Sequence, residues 1–289
     1  MKQETYKFID LFGGIGGFHL ALERNGMECV FASEIDKDAR KTYIKNHKIS
    51  PDIFNEDIND IDPKDIPDHD ILCAGFPCQP FSQAGYKKGL SDDRGNLFFN
   101  ILEILKAKRP KAFILENVKH LLRHDNGRTF NIIYSSLMQN GFYTEYKILM
   151  GSEFGLPQLR PRIFFVGFDD KQVDTTKPFL FPKPIPLETN MSDIWGGDCT
   201  REVGFTLRVG GKGSGIDDRR NWDGYVVNGK EVRLTPKEGK KMMGFPDNFD
   251  FPVSHTQAMK QLGNSVCVNV VEHVAKEVKN YLDELIVKK

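Results

Sequence analysis

The sequence predicts an α/β fold, a doubly wound and mostly parallel sheet that carries a small irregular domain. Three observations predict it. Short apolar runs alternate with amphipathic helical spacings up to about residue 170. A glycine-rich turn, DLFGGIGGF at 10–18, joins the first apolar run to the first helical pattern. Beyond Lys177 the alternation stops and proline-rich, then glycine-rich, sequence takes over.

Taken in order, YKFIDLF reads as a strand and FHLALERNG as a helix closed near Gly26. ECVFASEI is a second strand and DKDARKTYIKNH a second helix. DILCAGF is a third strand, its apolar run too short for a helix. LFFNILEILKAKRP is a helix that stops before Pro110, and KAFILENV is the fourth strand. GRTFNIIYSSLMQNG is a helix closed by Gly141, followed by strand patterns in FYTEYKILM and RIFFVGF. KPFLFPKPIPLE is a linker or edge crossing, and 191–251 holds loops and short strands. SVCVNVVEHVAKEVKNYLDELI returns to helical spacing and packs back on the large domain. The predicted division is a catalytic and cofactor-binding domain at 1–180, completed by 255–289, and a small domain at 181–254.

Hydrophobic residues make up 39% and charged residues 28%, the balance of an ordinary soluble domain. No apolar run approaches the roughly 18 residues of a membrane span, and MKQETYKFIDLF has no signal-peptide core. A cytoplasmic protein with no membrane partner is expected. The five cysteines form no C-x-x-C pair and no Cys/His cluster has zinc spacing, so no metal is expected from the sequence. The formal net charge is zero, yet it is unevenly spread. Asp52, Glu56, Asp57, Asp60, Asp62, Asp65, Asp68 and Asp70 face Lys64 alone, whereas 201–241 carries ten basic residues against six acids. A chain with one face toward nucleic acid shows such a separation.

The glycine turn alone is a weak signal, equally that of a plain strand–helix turn. Glu34 in SEID ends the second strand, where a carboxylate holds ribose hydroxyls, and Asp57 in NEDI follows the next helix, in reach of an adenine. No phosphate-binding lysine motif accompanies them, so a nucleoside without phosphates fits. Cys78, in GFPCQPFSQAG, sits between Pro77 and Pro80 at the carboxyl edge of the predicted sheet. A packing cysteine favours a regular element; this one reads as a nucleophile on a stiff loop. Glu116 and Asn117 end the fourth strand on the same edge. Arg160 and Arg162, two apart in QLRPR, share a face if that stretch is strand, where they clamp a phosphate or orient Glu116.

GFPCQPFS, ENV, QLRPR and QLGNS, in that order, resemble the motifs of the cytosine-C5 DNA methyltransferases, and most of all the short bacterial restriction-modification enzymes of the HhaI methyltransferase type. The resemblance covers residues 6 to about 170 and 224 to 276. It implies a Rossmann-like fold and S-adenosylmethionine as cofactor. Phe12, Gly14, Gly16 and Gly17 would line its pocket, Glu34 would take the ribose and Asp57 the adenine. Ile35, Ile58, Pro77 and Asn264 complete the cofactor set. Ile35 stands where relatives often carry a tryptophan, so weaker stacking is expected there. Cys78 would attack cytosine C6, Glu116 would serve N3, and Arg162 would contact the base or the nucleophile loop with Arg160 in support. Gln79, Ser82, Thr206, Arg208, Arg219 and Arg220 would face the DNA.

The resemblance further implies double-stranded DNA as partner, a flipped target base, a monomer, and a cognate restriction endonuclease acting separately. Other readings remain open on the sequence. A tRNA cytosine-C5 methyltransferase of the same fold shares the Cys and Glu motifs, and activity on duplex DNA against tRNA discriminates. A silent DNA-binding relative is opposed by the intact Cys78, Glu116 and Arg162. A nicotinamide oxidoreductase explains the glycine turn but leaves Cys78, Glu116 and the basic region without a role.

Overall fold

The structure, a computed structural model, describes residues 5–77, 97–210 and 213–286. Cys78, Gln79 and Ser82 lie outside the described residues. One sheet of seven strands organises the chain: β1 (Lys7–Leu11), β2 (Glu28–Ser33), β3 (Phe54–Asn55), β4 (Ile71–Gly75), β5 (Ala112–Val118), β6 (Phe142–Leu149) and β7 (Arg162–Asp169), in the order β3-β2-β1-β4-β5-β7-β6. β3 to β5 pair in parallel, while β7 runs antiparallel to both its neighbours. Between β1 and β4 the order of winding reverses, the place where open α/β sheets hold ligands.

The helices are α1 (Gly17–Arg24), α2 (Lys37–His47), α3 (Leu97–Lys108), α4 (Arg128–Gln139), α5 (Met191–Trp195), α6 (Pro236–Met242), α7 (His255–Asn264) and α8 (Val268–Leu285). Alternate strand residues face opposite layers, as the two-residue period requires. Phe8, Cys73, Ile114 and Val166 pack with Ala21 and Leu22 of α1 and with Val271, Val274 and Val278 of α8. Ile9, Leu72, Phe113 and Phe165 pack with Ile101 and Leu105 of α3 and Ile133 and Leu137 of α4. At β7, Gly167 pairs with Phe113, and a Cβ there would lie 2.2 Å from the Phe113 ring. The missing side chain is what lets that ring cover the strand.

The region after Lys177 contains more regular structure than its composition suggests. A hairpin, β8 (Gly224–Val227) with β9 (Lys230–Arg233), sits beside α5 and α6. Tyr225 of the hairpin, Trp222 just before it, and Met242 and Met243 at the end of α6 are buried and continuous with the α1–α8 layer of the core. α6 starts on a capping box, Thr235 with Glu238 and Pro236 in the first turn. α7 starts at Ser254, whose hydroxyl accepts from Gln257 N–H. No helix among the described residues is long and apolar enough to cross a membrane.

The expectation that Arg160 and Arg162 share a strand face is corrected. β7 begins at Arg162, because Pro161 has no N–H to give the ladder. Arg160 therefore lies in the preceding loop, free to point elsewhere.

Candidate active site

A cavity of about 450 Å³ opens at the carboxyl ends of β1, β2, β4 and β5, with the start of β7 beside it. β7 is antiparallel, so its first residues share an edge with the other strands' last ones. Phe12 and Gly14 line it after β1, Glu34, Ile35 and Asp36 after β2, and Gly75, Phe76 and Pro77 from β4. Glu116 and Asn117 come from β5, Arg160 and Arg162 from around Pro161, and Lys260, Gln261 and Asn264 from α7.

The turn after β1 is tightly wound. Phe12, Gly14 and Gly16 all have positive φ, 55°, 58° and 82°. For Phe12 that is a strained conformation, of the kind held at ligand sites. The turn leaves the Gly14 N–H pointing outward, where it donates to Glu34 at 2.8 Å. The other Glu34 oxygen accepts from Asp36 N–H at 2.7 Å. Burial pushes the Glu34 carboxyl upward, and these two backbone bonds oppose the shift. Asp36 caps α2 through Asp38 and Ala39 N–H and also binds Lys260 at 2.9 Å, which pins α7 over the cavity. Ile35 is 66% exposed, an apolar face offered at the cavity mouth.

Glu116 is only 8% exposed. Its Oε1 accepts from Arg162 Nε at 2.9 Å. Glu116 pairs directly with Phe164, so Arg162 stands diagonally across the ladder on the same face. Burial drives the Glu116 carboxyl upward, against the pull of Arg162 and, more weakly, Arg160. The raised direction favours the protonated carboxyl, the form an acid needs. Asn117 fixes the strand end: its Nδ2 donates to Phe76 O at 2.9 Å. Arg160, 2% exposed, donates to the carbonyls of Leu207 at 3.0 Å and Gly263 at 2.8 Å. It joins chain segments rather than bonding Glu116.

Of the sequence-predicted residues, Phe12, Gly14, Glu34, Ile35, Pro77, Glu116, Arg160, Arg162 and Asn264 line one cavity. Gly16 and Gly17 lie behind it at the start of α1, where a Cβ on Gly17 would sit 2.7 Å from Val266. Asp57 caps a short 3-10 turn through Asn59 N–H, and Ile58 packs into the α3–α4 layer; neither lines the cavity. Thr206 is half-buried, and Arg208, Arg219 and Arg220 are exposed, with Arg220 held by Asp218 at 2.7 Å. Asn117, read from the sequence as ending the fourth strand, lines the cavity too, whereas Asp36, Lys260 and Gln261 line it and were not singled out in the sequence. For Asp36 the signal was present, an Asp just before a helical pattern. For Lys260 and Gln261 it was the helix before QLGNS. Among the described cysteines, burial pushes the thiols of Cys29, Cys73 and Cys267 upward, which keeps them inert.

A sheet edge that offers a carboxylate on a glycine turn, apolar faces and a second, buried carboxyl suits an enzyme that moves a group from a nucleoside-type cofactor. The C-5 cytosine-specific DNA methylase family matches residues 6–206 and 200–280, and the chain belongs to that family, as a DNA (cytosine-5-)-methyltransferase. The Type II methyltransferase M.NlaX of Neisseria lactamica is 45% identical over 309 residues, covering 95% of this chain and 96% of its own. M.HhaI of Haemophilus parahaemolyticus is 38% identical over 323 residues, covering 98% and 97%. These relatives support the DNA reading and not the tRNA alternative. A solved DNMT2 mutant from Spodoptera frugiperda shares the fold, with TM-score 0.73 and 23% identity over 95% of this chain and 100% of that one.

Proposed function

We propose that this chain methylates C5 of a cytosine turned out of a specific short duplex DNA sequence, through a transient bond between Cys78 and C6. One observation carries the reading: the Glu116–Arg162 pair lies in the cavity that Glu34 and Phe12 also line. Cofactor and base would therefore meet at one sheet edge.

The cavity suits S-adenosylmethionine. Its volume falls in the range for small-molecule sites, and Glu34 at the glycine turn offers a carboxylate of the kind that takes ribose hydroxyls. Phe12, Gly14, Ile35, Pro77 and Asn264 would line it, with Glu34 toward the ribose. Gly16 and Gly17 would shape the turn from behind, and Asp57 and Ile58 would bound the adenine end. Once bound, the cofactor supplies a methyl group made electrophilic by its sulfonium.

Cytosine C5 is too weak a nucleophile to take that methyl unaided. The Cys78 thiolate adds to C6, forming a C–S bond and breaking the ring's aromaticity. Glu116 gives its proton to N3 as charge builds there, and Arg162 holds Glu116 in place. Electron density then rests at C5. After the methyl arrives, a base removes the C5 proton, the C–S bond breaks, the thiolate returns and N3 gives its proton back to Glu116. The base must leave the helix for any of this. We assign target recognition to residues 181–254, with Thr206, Arg208, Arg219 and Arg220 beside Gln79 and Ser82 on the DNA side. The protein would act as a cytoplasmic monomer, with a restriction endonuclease working separately.

Bisulfite sequencing of a plasmid from cells that express the chain tests the proposal. Protected cytosines confined to one short sequence context are expected. Full conversion of every cytosine would overturn it.

A further inference from the structure

Behind the glycine turn, away from the cavity, α1 and α2 bring together three groups that the methyl-transfer chemistry does not use. His19 and Glu23 are four apart on α1, and His47 ends α2. One ligand atom from each lies within 4.8 Å of the other two.

The hydrogen bonds decide what sits between them. The Tyr43 hydroxyl donates to Asp10 Oδ2 at 3.1 Å. Its oxygen is therefore the acceptor for His19 Nδ1, 2.7 Å away. That leaves the lone pair of His19 Nε2 facing the Glu23 carboxylate at 3.1 Å. Two acceptors at that distance repel unless a cation lies between them. A proton on Nε2 would serve, but a proton does not need a third donor. His47 supplies one: its ring lies 4.3 Å from the His19 ring, and its Nε2 bonds Ile15 O at 3.1 Å.

We propose that His19, Glu23 and His47 bind a divalent transition-metal ion of the zinc type, clipping α1 to α2. Two imidazoles and one carboxylate, with a fourth position open, are an established zinc donor set. In such a site the ligand atoms stand about 3.3 Å apart, given bonds of about 2.0–2.1 Å. His19 and Glu23 already do so, and His47, whose ligand atom lies within 4.8 Å of theirs, has to close by at most about 1.5 Å to a similar spacing. The Asp10–Tyr43–His19 chain is the outer support that zinc-bound histidines commonly have, and it sets the tautomer. Asp10 Oδ1 is buried without a partner, and burial pushes its carboxyl up to about 7. Glu23 is 48% exposed, which gives the ion a route in. Ile15 lines the cofactor cavity, so the clip would brace the turn that holds the cofactor.

The full-length protein, stripped with a chelator, is titrated with Co²⁺ and then Zn²⁺. One Co²⁺ per chain is expected, with the strong visible bands of a four-coordinate site, and Zn²⁺ should displace it and raise Tm. Glu23→Gln and His47→Gln should each weaken binding by at least about tenfold, and Tyr43→Phe by roughly 10–100-fold, as loss of an outer partner does. The half-exposed Glu23 makes its variant the control for folding. Absence of the bands in the native protein would overturn the proposal. Bands of equal strength in Glu23→Gln would place the ion elsewhere and overturn it too.

Discussion

Arg162 donates its Nε–H to Glu116 at 2.9 Å, across two strands that run in opposite directions. The antiparallel turn of β7 creates this contact, because it brings a strand start to the edge where β5 ends. Burial raises the Glu116 carboxyl and Arg162 lowers it. Removing Arg162 therefore moves the Glu116 pKa further up. If Glu116 must be protonated to serve N3, activity falls as pH rises through its pKa. Arg162→Met should shift that alkaline limb of kcat/KM to higher pH, besides lowering the rate. A limb that stays where it was in the native enzyme would remove Arg162 from this role.

Glu116→Gln keeps the shape of the side chain but has no proton to deliver. A loss of about 10²–10⁴-fold in kcat is expected, the usual worth of a positioned acid. Cofactor affinity should stay close to native, because Glu34 and the glycine turn are untouched. Single-turnover kinetics with calorimetry separate the two. A variant that loses cofactor binding and keeps its rate would reverse the assignment.

Glu34 accepts backbone N–H groups from both Gly14 and Asp36. Glu34→Ala removes both acceptors and any ribose contact, so the turn and the α2 cap lose their common anchor. Each bond to a charged group is worth about 1.5–3 kcal/mol. The Kd for S-adenosylmethionine should rise by roughly tenfold or more. An unchanged calorimetric affinity would take Glu34 out of the cofactor site.

Cys78→Ser replaces the thiol with a hydroxyl that does not ionise near neutral pH. Cofactor binding should hold to within about twofold, while methyl transfer and any covalent complex with DNA disappear. Tritium transfer to duplex DNA reports the first, and denaturing electrophoresis the second. Substantial turnover in this variant would sink the covalent route.

Much of this was legible in the residues because α/β folds write their pattern locally. Apolar runs broken by helical spacings located β1, β2, β4 to β7, α1 to α4 and α8, since each depends on its own periodicity. Glu34 and Glu116 were legible as strand-end carboxylates for the same reason. What was missed depends on long-range geometry or short elements. β3 has two residues, too few for a period. α6 and α7 were hidden by the glycine-rich region around them, although Thr235 and Ser254 carried ordinary capping signals. The antiparallel sense of β7 cannot be read from alternation, which is the same in both directions. Arg160 was placed beside Arg162 on spacing alone, and Pro161 overrides that spacing. His19 and His47 are distant in sequence and meet only in the folded chain, their rings 4.3 Å apart.

Arg160 makes the last case. Its two terminal nitrogens bind Leu207 O and Gly263 O, one in the 181–254 region proposed for target recognition and one in α7 at the cavity. Gln158 reinforces the first contact by accepting from Leu207 N–H at 3.2 Å and donating to Met242 O at 3.1 Å. The burial of Arg160 is costly in itself, pulling its guanidinium down to about 10. Arg160→Met removes that cost but strands two buried carbonyls, at about 1–3 kcal/mol each. A net loss of about 2–3 kcal/mol is expected by urea unfolding, because relief of the buried charge offsets part of it. Arg160→Lys should fall in between, since one ammonium cannot span both carbonyls as a planar fork does. If Arg160 sets the position of the 207 segment, DNA affinity should drop further in both variants than cofactor affinity does. Equal stability of Arg160→Met and the native protein, with DNA binding intact, would show that the bridge carries no such role.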